Sequence, residues 1–487
     1  MHHDRRSFVS AAAVLVGLGA LGAGCGGSSS RHAAATTTPA PTTSAPAPTT
    51  VAAVPTTTSP PAGTAWTTYG GTGLRWARAA GASAFTRAPA KAWTSPVLDG
   101  AVYGQPLVFG GQVLVATEGD TVYGLDEAGG AVRWSVHLGT PVPADALPCG
   151  NIAPVVGVTS TMVVDPATGM VFASAATEAG GAVHHVVAAI STVSHQLAWT
   201  LDIDQPGWTA AAQLQRAALA LDAGHVLVGF GGNYGDCGRY NGWVVGVPES
   251  GTGGTVAYRV PTARQGAVWA AGGVTVDTDG TVYAATGNGS AGPGEPFDHG
   301  NAVVRLSPSL AEEGYFAPAD WAQDNASDAD LGSTAPIALG DGRLFVVGKQ
   351  ATGYLVDGAA LGGIGHPLAS LGLCNSQGAN AWDAPALFVV CTDGGGLTRV
   401  VVGPGNVLTR SWTWHSPTGG AGSPTVAGGV VWSIDPGASV LYGISEATGA
   451  TRYSVPLDTG VPTHFAAASV SGGFLFIAGS KAVEALR

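Results

Sequence analysis

VYGLDEAGGAVRWSVHL, residues 122–138, returns on the same plan at 441–457 as LYGISEATGATRYSVPL. Each copy runs an alternating apolar stretch into a polar residue, then an Ala/Gly turn, then three residues and an aromatic ring, Trp134 or Tyr453. MVVDPATGMVFASAAT (162–177) and VTVDTDGTVYAATGNG (274–289) share the apolar alternation around an Asx/Gly turn. Alternation with a period of two, broken by glycine turns, specifies short antiparallel strands. No amphipathic helix is expected in this part of the chain. From Trp66 to Arg487 there are about 420 residues, which by length alone suggests roughly three domains. The repeats overrule that count, because a recurring supersecondary unit builds one array.

The units fall near Gly104–Trp134, Gly157–Trp199, Gln215–Tyr258, Gly272–Phe316, Gly332–Leu368, Ala384–Trp414 and Gly422–Tyr453, with an eighth from Phe465 to Leu486 that is one strand short. KAWTSPV (91–97) is a strand pattern with no unit of its own, so it is expected to complete the eighth sheet and close the ring. The fold class is therefore all-β, an eight-bladed β-propeller closed by an N-terminal strand, over 64–487. A pair of β-sandwiches would explain the turns but not the orphan strands at both ends.

The first 63 residues divide in two. Arg5-Arg6-Ser7-Phe8-Val9 precedes an apolar run, Ala11–Ala23, that is too short for a lasting membrane span and ends at Cys25. It resembles a twin-arginine export signal over 1–25 with a lipobox, although Gly22 stands where leucine is usual. Cys25 is the expected lipidation site; a plain cleaved secretory signal is the alternative. Residues 26–63 are Ser, Thr, Ala and Pro, too poor in large apolar groups to fold, and read as a tether. The expected location is outside the plasma membrane, held there through the lipid alone. With 20 Lys and Arg against 32 Asp and Glu, the chain has no source of counterion release and is not expected to bind nucleic acid.

At Asp126–Trp134 and Ser445–Tyr453 the repeat resembles the tryptophan-docking repeat of the pyrroloquinoline quinone (PQQ) propellers. That family includes eight-bladed quinoprotein alcohol dehydrogenases and non-enzymatic lipoproteins of outer-membrane assembly, and the stretch 332–363 is similar to its polyvinyl alcohol dehydrogenase branch. The resemblance implies a cofactor lying flat on a tryptophan, with a calcium ion polarising it and an aspartate taking the alcohol proton. It assigns Trp269 to the stacking position and Asn288, at the end of YAATGN, to calcium. It assigns Asp236, the nearest acid in GGNYGDCGRYNGWVVGV (231–247), to the same ion, and Lys349 in VGKQATGYLVD (347–357) to the quinone oxygen. The family's Gly-Asp-Asn with the catalytic base becomes Asp298-His299-Gly300-Asn301 here, so glycine falls at the base position and Asp298 must reach from two residues away. Asp330, in DNASDADLGS (324–333), is the second candidate base. The adjacent cysteine pair of the dehydrogenases is absent from this chain.

Apart from Cys25, the cysteines are Cys149, Cys237, Cys374 and Cys391, an even number in an exported chain. Of three connectivities, Cys374 with Cys391 and Cys149 with Cys237 is favoured. Asp324, Asp328 and Asp330 read as a solvated extended loop, and His184-His185, on opposite faces of a strand, as structural or surface residues. Two functions remain open. One is a PQQ- and calcium-dependent dehydrogenase of small or polymeric alcohols; the other is a non-catalytic propeller that binds a cell-envelope protein or polysaccharide.

Overall fold

The computed structural model describes residues 65–487. The export segment, Cys25 and the tether lie outside the described residues. Among the described residues eight sheets form the blades of a β-propeller, five of them four-stranded and three carrying a fifth strand. The first blade runs Leu107–Phe109, Gln112–Ala116, Thr121–Asp126 and Val132–His137. The second runs Val163–Asp165, Met170–Ala179, Ala182–Ser191 and Leu197–Asp202. The last sheet holds Ser469–Ser471, Phe474–Ala478 and Val483–Leu486, and its fourth strand is Lys91–Thr94, antiparallel to Val483–Leu486. The strand pattern at 91–97 is therefore a partner of the chain's C-terminal strand.

At three of the interfaces between blades an outer-strand tryptophan docks on the neighbouring turn, whereas Trp134 packs on Gly124 of its own blade. Trp93, in the eighth sheet, lies over Gly130 in the first blade's turn and donates from Nε1 to the Glu127 carbonyl at 3.1 Å. Trp412 does the same to the seventh blade, with Gly449 under its ring and Nε1 3.1 Å from the Glu446 carbonyl. Trp199 covers Gly251 of the third blade's turn. A Cβ on Gly251 would stand 2.6 Å from the Trp199 ring, and one on Gly449 2.8 Å from Trp412. Both glycines also hold positive φ, +70° and +73°, which a side chain resists. Glycine thus lets one blade's indole lie flat on the next blade's turn, where burial of the ring contributes roughly 2–3 kcal/mol.

The chain just before the first blade crosses one end of the ring and touches the first strand of blade after blade. Trp66 bridges to Val108, Thr67 O accepts from Val164 N (2.8 Å), and Gly73 O accepts from Val276 N (3.0 Å). Trp76 donates from Nε1 to Ala338 O (2.6 Å) and accepts at its own carbonyl from Trp382 N, and Ala77 O accepts from Val426 N, both at 2.8 Å. At the centre sits Arg75, 1% exposed. Its guanidinium donates to Val274 O (2.9 Å), Thr68 Oγ1 (2.8 Å), Tyr69 O (3.1 Å) and Leu219 O (3.2 Å). Burial pulls its pKa down to about 10, partly offset by Tyr69, so it stays charged at neutral pH with carbonyl dipoles in place of a carboxylate.

One helix was not expected: α1, Trp321–Ser327. It begins three residues before the acidic segment read as an extended loop and ends inside it, where Asp328 takes a left-handed conformation (φ 56°). Seven residues make under two turns, too few for a 3.6-residue period to show in sequence. Among the described residues no helix is long and apolar enough to cross a membrane.

Arg75→Ala should cost about 3–5 kcal/mol, since it leaves three buried carbonyls without a charged donor and opens a void. Urea unfolding of the variant against the parent chain measures this.

Candidate functional site

The opposite end of the ring holds a cavity of about 500 Å³. Its wall is built by the segments that lead into the first strands of the blades, which carry Tyr103, Arg216, Trp269, Asp330, Gln377 and Phe465. These segments converge because the first strands do, so residues remote in sequence become neighbours.

Trp269 offers a partly open indole, with Phe465 edge-on at 6.0 Å and the Lys349 ammonium 5.7 Å from the ring centroid. Lys349 follows the strand Arg343–Val347 of the fifth blade, and its Nζ lies 2.6 Å from Asp330 Oδ2 and 3.0 Å from Asp328 Oδ1. Burial opposes the ammonium's charge, but Asp330 and Asp328 outweigh it and hold its pKa above the ordinary lysine value. Asp330, 6% exposed, also accepts from the Asn288 backbone N–H at 2.7 Å. Burial raises its pKa against the opposing pull of Lys349 and Asn288.

Asn288, just beyond the strand Val282–Ala285 of the fourth blade, is fixed from both sides. Its amide donates to Asp328 Oδ1 (2.8 Å) and accepts from Asn301 Nδ2 (3.0 Å). Asn301 in turn donates to Asn325 Oδ1 (2.8 Å) on α1 and accepts from Leu331 N (2.7 Å). The short helix therefore holds up the asparagine. Asp236, with φ of 53°, lines the third-blade side of the cavity and accepts a hydrogen bond from the Tyr240 hydroxyl. Burial, then Asp236, push the Tyr240 pKa well above its ordinary value.

Trp269, Asn288, Lys349, Asp330 and Asp236 thus share one cavity. Asp298 does not. Its Oδ2 accepts from Thr262 Oγ1 (2.7 Å) and from the N–H groups of Ser290 and Ala291 (both 2.8 Å), and its Oδ1 from Gly300 N (3.1 Å). The carboxylate organises the 289–300 turn, and the proposed reach of two residues from the glycine position is used up within that turn. Both disulfides join the favoured pairs, with Cα–Cα separations of 5.8 Å for Cys149–Cys237 and 5.4 Å for Cys374–Cys391. The first ties the loop that carries Asp236 to the loop after the first blade, at the cavity rim.

Sequence reasoning missed Arg216 and Phe465. The Arg216 guanidinium lies 4.3 Å from the Phe465 ring centroid and donates to Thr463 Oγ1 at 2.8 Å. Burial lowers its pKa to about 10, against the opposing charges of Tyr103 and Glu118. Burial, then Arg216, hold His464 down at about 4, so the cavity's imidazole is neutral at physiological pH. Neither Arg216 nor Phe465 lies in a recognisable sequence pattern; only convergence of the blades reveals them.

No protein-family model matches the chain, and no curated protein matches it by sequence. Solved structures do match in shape. Quinohemoprotein alcohol dehydrogenase from Comamonas testosteroni superposes with a TM-score of 0.65 at 14% identity, covering 87% of this chain and 80% of that one. A europium-containing methanol dehydrogenase gives 0.63 at 13% identity, covering 86% and 89%. BamB from Moraxella catarrhalis gives 0.56 at 14%, covering 82% and 99%. At these identities the likeness is one of fold alone, the β-propeller.

Two buried acids lie behind the first blade, Glu118 near Arg216 and Asp120 near Glu118. Glu118, 3% exposed, accepts from Gly157 N (2.7 Å) and Thr159 Oγ1 (3.1 Å), while its Oε1 has no partner. Asp120 is fully buried with both oxygens unpartnered. Burial, against the pull of its hydrogen bonds and Arg216, pushes Glu118 up to about 7; burial, then Glu118 and Asp99, push Asp120 up to about 9. Both groups bind protons more tightly folded than unfolded, so their contribution is present at low pH and is lost as pH rises, through about 4.5–7 for Glu118 and 4–9 for Asp120. Stability should fall from about pH 5 to about pH 8 by up to about 1.4 kcal/mol per pH unit for each titrating group. Asp120→Asn should flatten that slope and be the more stable chain at about pH 8, as read from urea midpoints across the range.

Proposed function

We propose that this chain is a quinoprotein-type dehydrogenase of alcohols, binding PQQ and a calcium-class ion in the cavity. One observation carries the proposal: an indole platform, a half-buried lysine and a buried carboxylate from neighbouring blades meet at one mouth, with an asparagine backbone N–H fixing the carboxylate.

The residues fit the group chemically. A cavity of about 500 Å³ is within the range of small-ligand pockets. Trp269 can stack a flat tricyclic ring, and Lys349 can donate to an oxygen at its edge. Asp236, Asp328, Asp330 and Asn288 line the cavity and carry the oxygen donors a hard cation takes; an ion there would have to draw these side chains together from their present partners. When bound, PQQ supplies an electrophilic carbonyl that takes two electrons from the alcohol, and the ion polarises it. Asp330 is placed to accept the hydroxyl proton of the substrate, since burial makes Oδ2 a better proton acceptor than a surface carboxylate. Lys349 keeps that carboxylate ionised before the proton arrives and balances the site's charge. Phe465 and Trp269 shield the reacting end from water.

A second reading is favoured by the same ion pair. Lys349 is already neutralised by Asp328 and Asp330, as it would be in a non-catalytic propeller that offers its rim to a cell-envelope protein or polysaccharide. In either case we propose export and anchorage through Cys25 at the outer face of the plasma membrane.

Reconstitution of the purified chain with PQQ and calcium separates the two. Saturable quinone binding, seen as a shift in its absorbance, is expected to weaken at least about tenfold in Trp269→Ala. Dye reduction with small and polymeric alcohols should fall by about 10²–10⁴ in kcat for Asp330→Asn while quinone stays bound. No quinone binding by the parent chain would sink the enzyme reading.

A further inference from the structure

A second cluster of chemical groups lies away from the cavity, on the outer strands of the second blade. His184 and His185 alternate on Ala182–Ser191, so His184 points to solvent, with its side chain 35% exposed, and His185 is wholly buried. Asp202 ends the neighbouring strand, Leu197–Asp202, and Asp204 follows it.

Each aspartate has one oxygen fixed and one bare. Asp204 Oδ1 faces both the backbone N–H (3.1 Å) and Nδ1 (3.2 Å) of His185. Asp202 Oδ1 accepts from Asp204 N at 2.9 Å. The two remaining oxygens converge on one nitrogen: His184 Nδ1 lies 3.0 Å from Asp202 Oδ2 and 3.5 Å from Asp204 Oδ2. An Nδ1–H has one proton and satisfies one of them, which leaves the other carboxylate oxygen facing the same point without a donor. All three atoms lie within 4.8 Å of one another. Ligands placed tetrahedrally at about 2.0–2.2 Å from a zinc ion stand about 3.3–3.6 Å apart, close to the two spacings found here.

His185 is the second observation. Buried among Trp208 and Phe230, with Nε2 unpartnered, it aims Nδ1 at Asp204 and so orients that carboxylate from behind. Ligating carboxylates are hydrogen-bonded from behind in metal sites, and His185 gives Asp204 that support through both its backbone N–H and its ring. The backbone N–H groups do the same for both acids at no cost in side-chain entropy. We propose that His184 Nδ1, Asp202 Oδ2 and Asp204 Oδ2 bind one divalent transition ion of the zinc class, with water in the remaining, solvent-facing position. One imidazole among the ligands favours zinc over calcium or magnesium, which prefer oxygen throughout.

The full chain, stripped with a chelator and kept in excess calcium to occupy oxygen-only sites, is titrated with zinc by calorimetry and against a chromophoric indicator. One zinc per chain is expected. Affinity should drop at least tenfold in His184→Ala and in Asp202→Asn, and hold in Asp330→Asn, which alters the cavity instead. Cobalt in place of zinc should give the visible absorption of a four- or five-coordinate ion, lost in the same two variants. His184 and Asp202 are solvent-facing, so both variants should melt with the parent chain; should one not fold, the other decides. Absence of saturable zinc binding, binding that survives both substitutions, or equal displacement by magnesium would overturn the assignment.

Discussion

The structure depends on an indole lying flat on a glycine of the next sheet. Trp93 over Gly130, Trp199 over Gly251 and Trp412 over Gly449 each join the outer part of one blade to a turn of its neighbour. Strand hydrogen bonds hold a sheet together but say nothing about the angle between sheets. At three interfaces the docked indoles constrain that angle, and buried apolar side chains between the sheets do so at the others. A flat ring against a bare α-carbon permits close approach in one orientation, and two of these rings add an N–H to a turn carbonyl.

The cavity follows from that constraint. Once the blades are set around an axis, the segments entering their first strands must crowd together at one end, while Trp66–Ala77 covers the other with Arg75 at its centre. Charge is distributed to suit. Arg75, held by three carbonyls and a hydroxyl, and Arg216, against the Phe465 ring, sit deep, while Lys349 near the mouth is balanced by two aspartates. Glu118 and Asp120 are held near neutrality by burial, which lets them occupy a dry interior without a counterion. The second-blade cluster is of a different kind, since its ligand atoms come from one hairpin and the turn after it and need no convergence of blades.

Much of the cavity was legible through the family resemblance, which assigned Trp269, Asn288, Lys349 and Asp236 to one site; the structure places all four on one cavity. Asp298 was misplaced because sequence distance was taken for reach. A left-handed residue at His299 (φ 62°) and a hydrogen-bonded turn fold its carboxylate back on its own loop. The acidic segment was misjudged for the opposite reason: α1 is too short to announce itself, and it carries Asn325 to the Asn301–Asn288 pair. His184 and His185 were correctly set on opposite faces of a strand, but Asp202 and Asp204, some eighteen residues on, gave no sign that they would close on His184.

By itself, the sequence determined what repeats: strand alternation, glycine at turns that demand positive φ, an aromatic at a fixed distance beyond, and two pairs of cysteines. These are local properties, governed by steric limits on the backbone and by burial on one face of a strand, and they add up to a fold. Only the tertiary structure decided which polar groups face one another. A hydrogen bond or ion pair depends on tenths of an ångström between atoms from different blades, and those distances are set by how the sheets pack, not by the order of residues within any one of them.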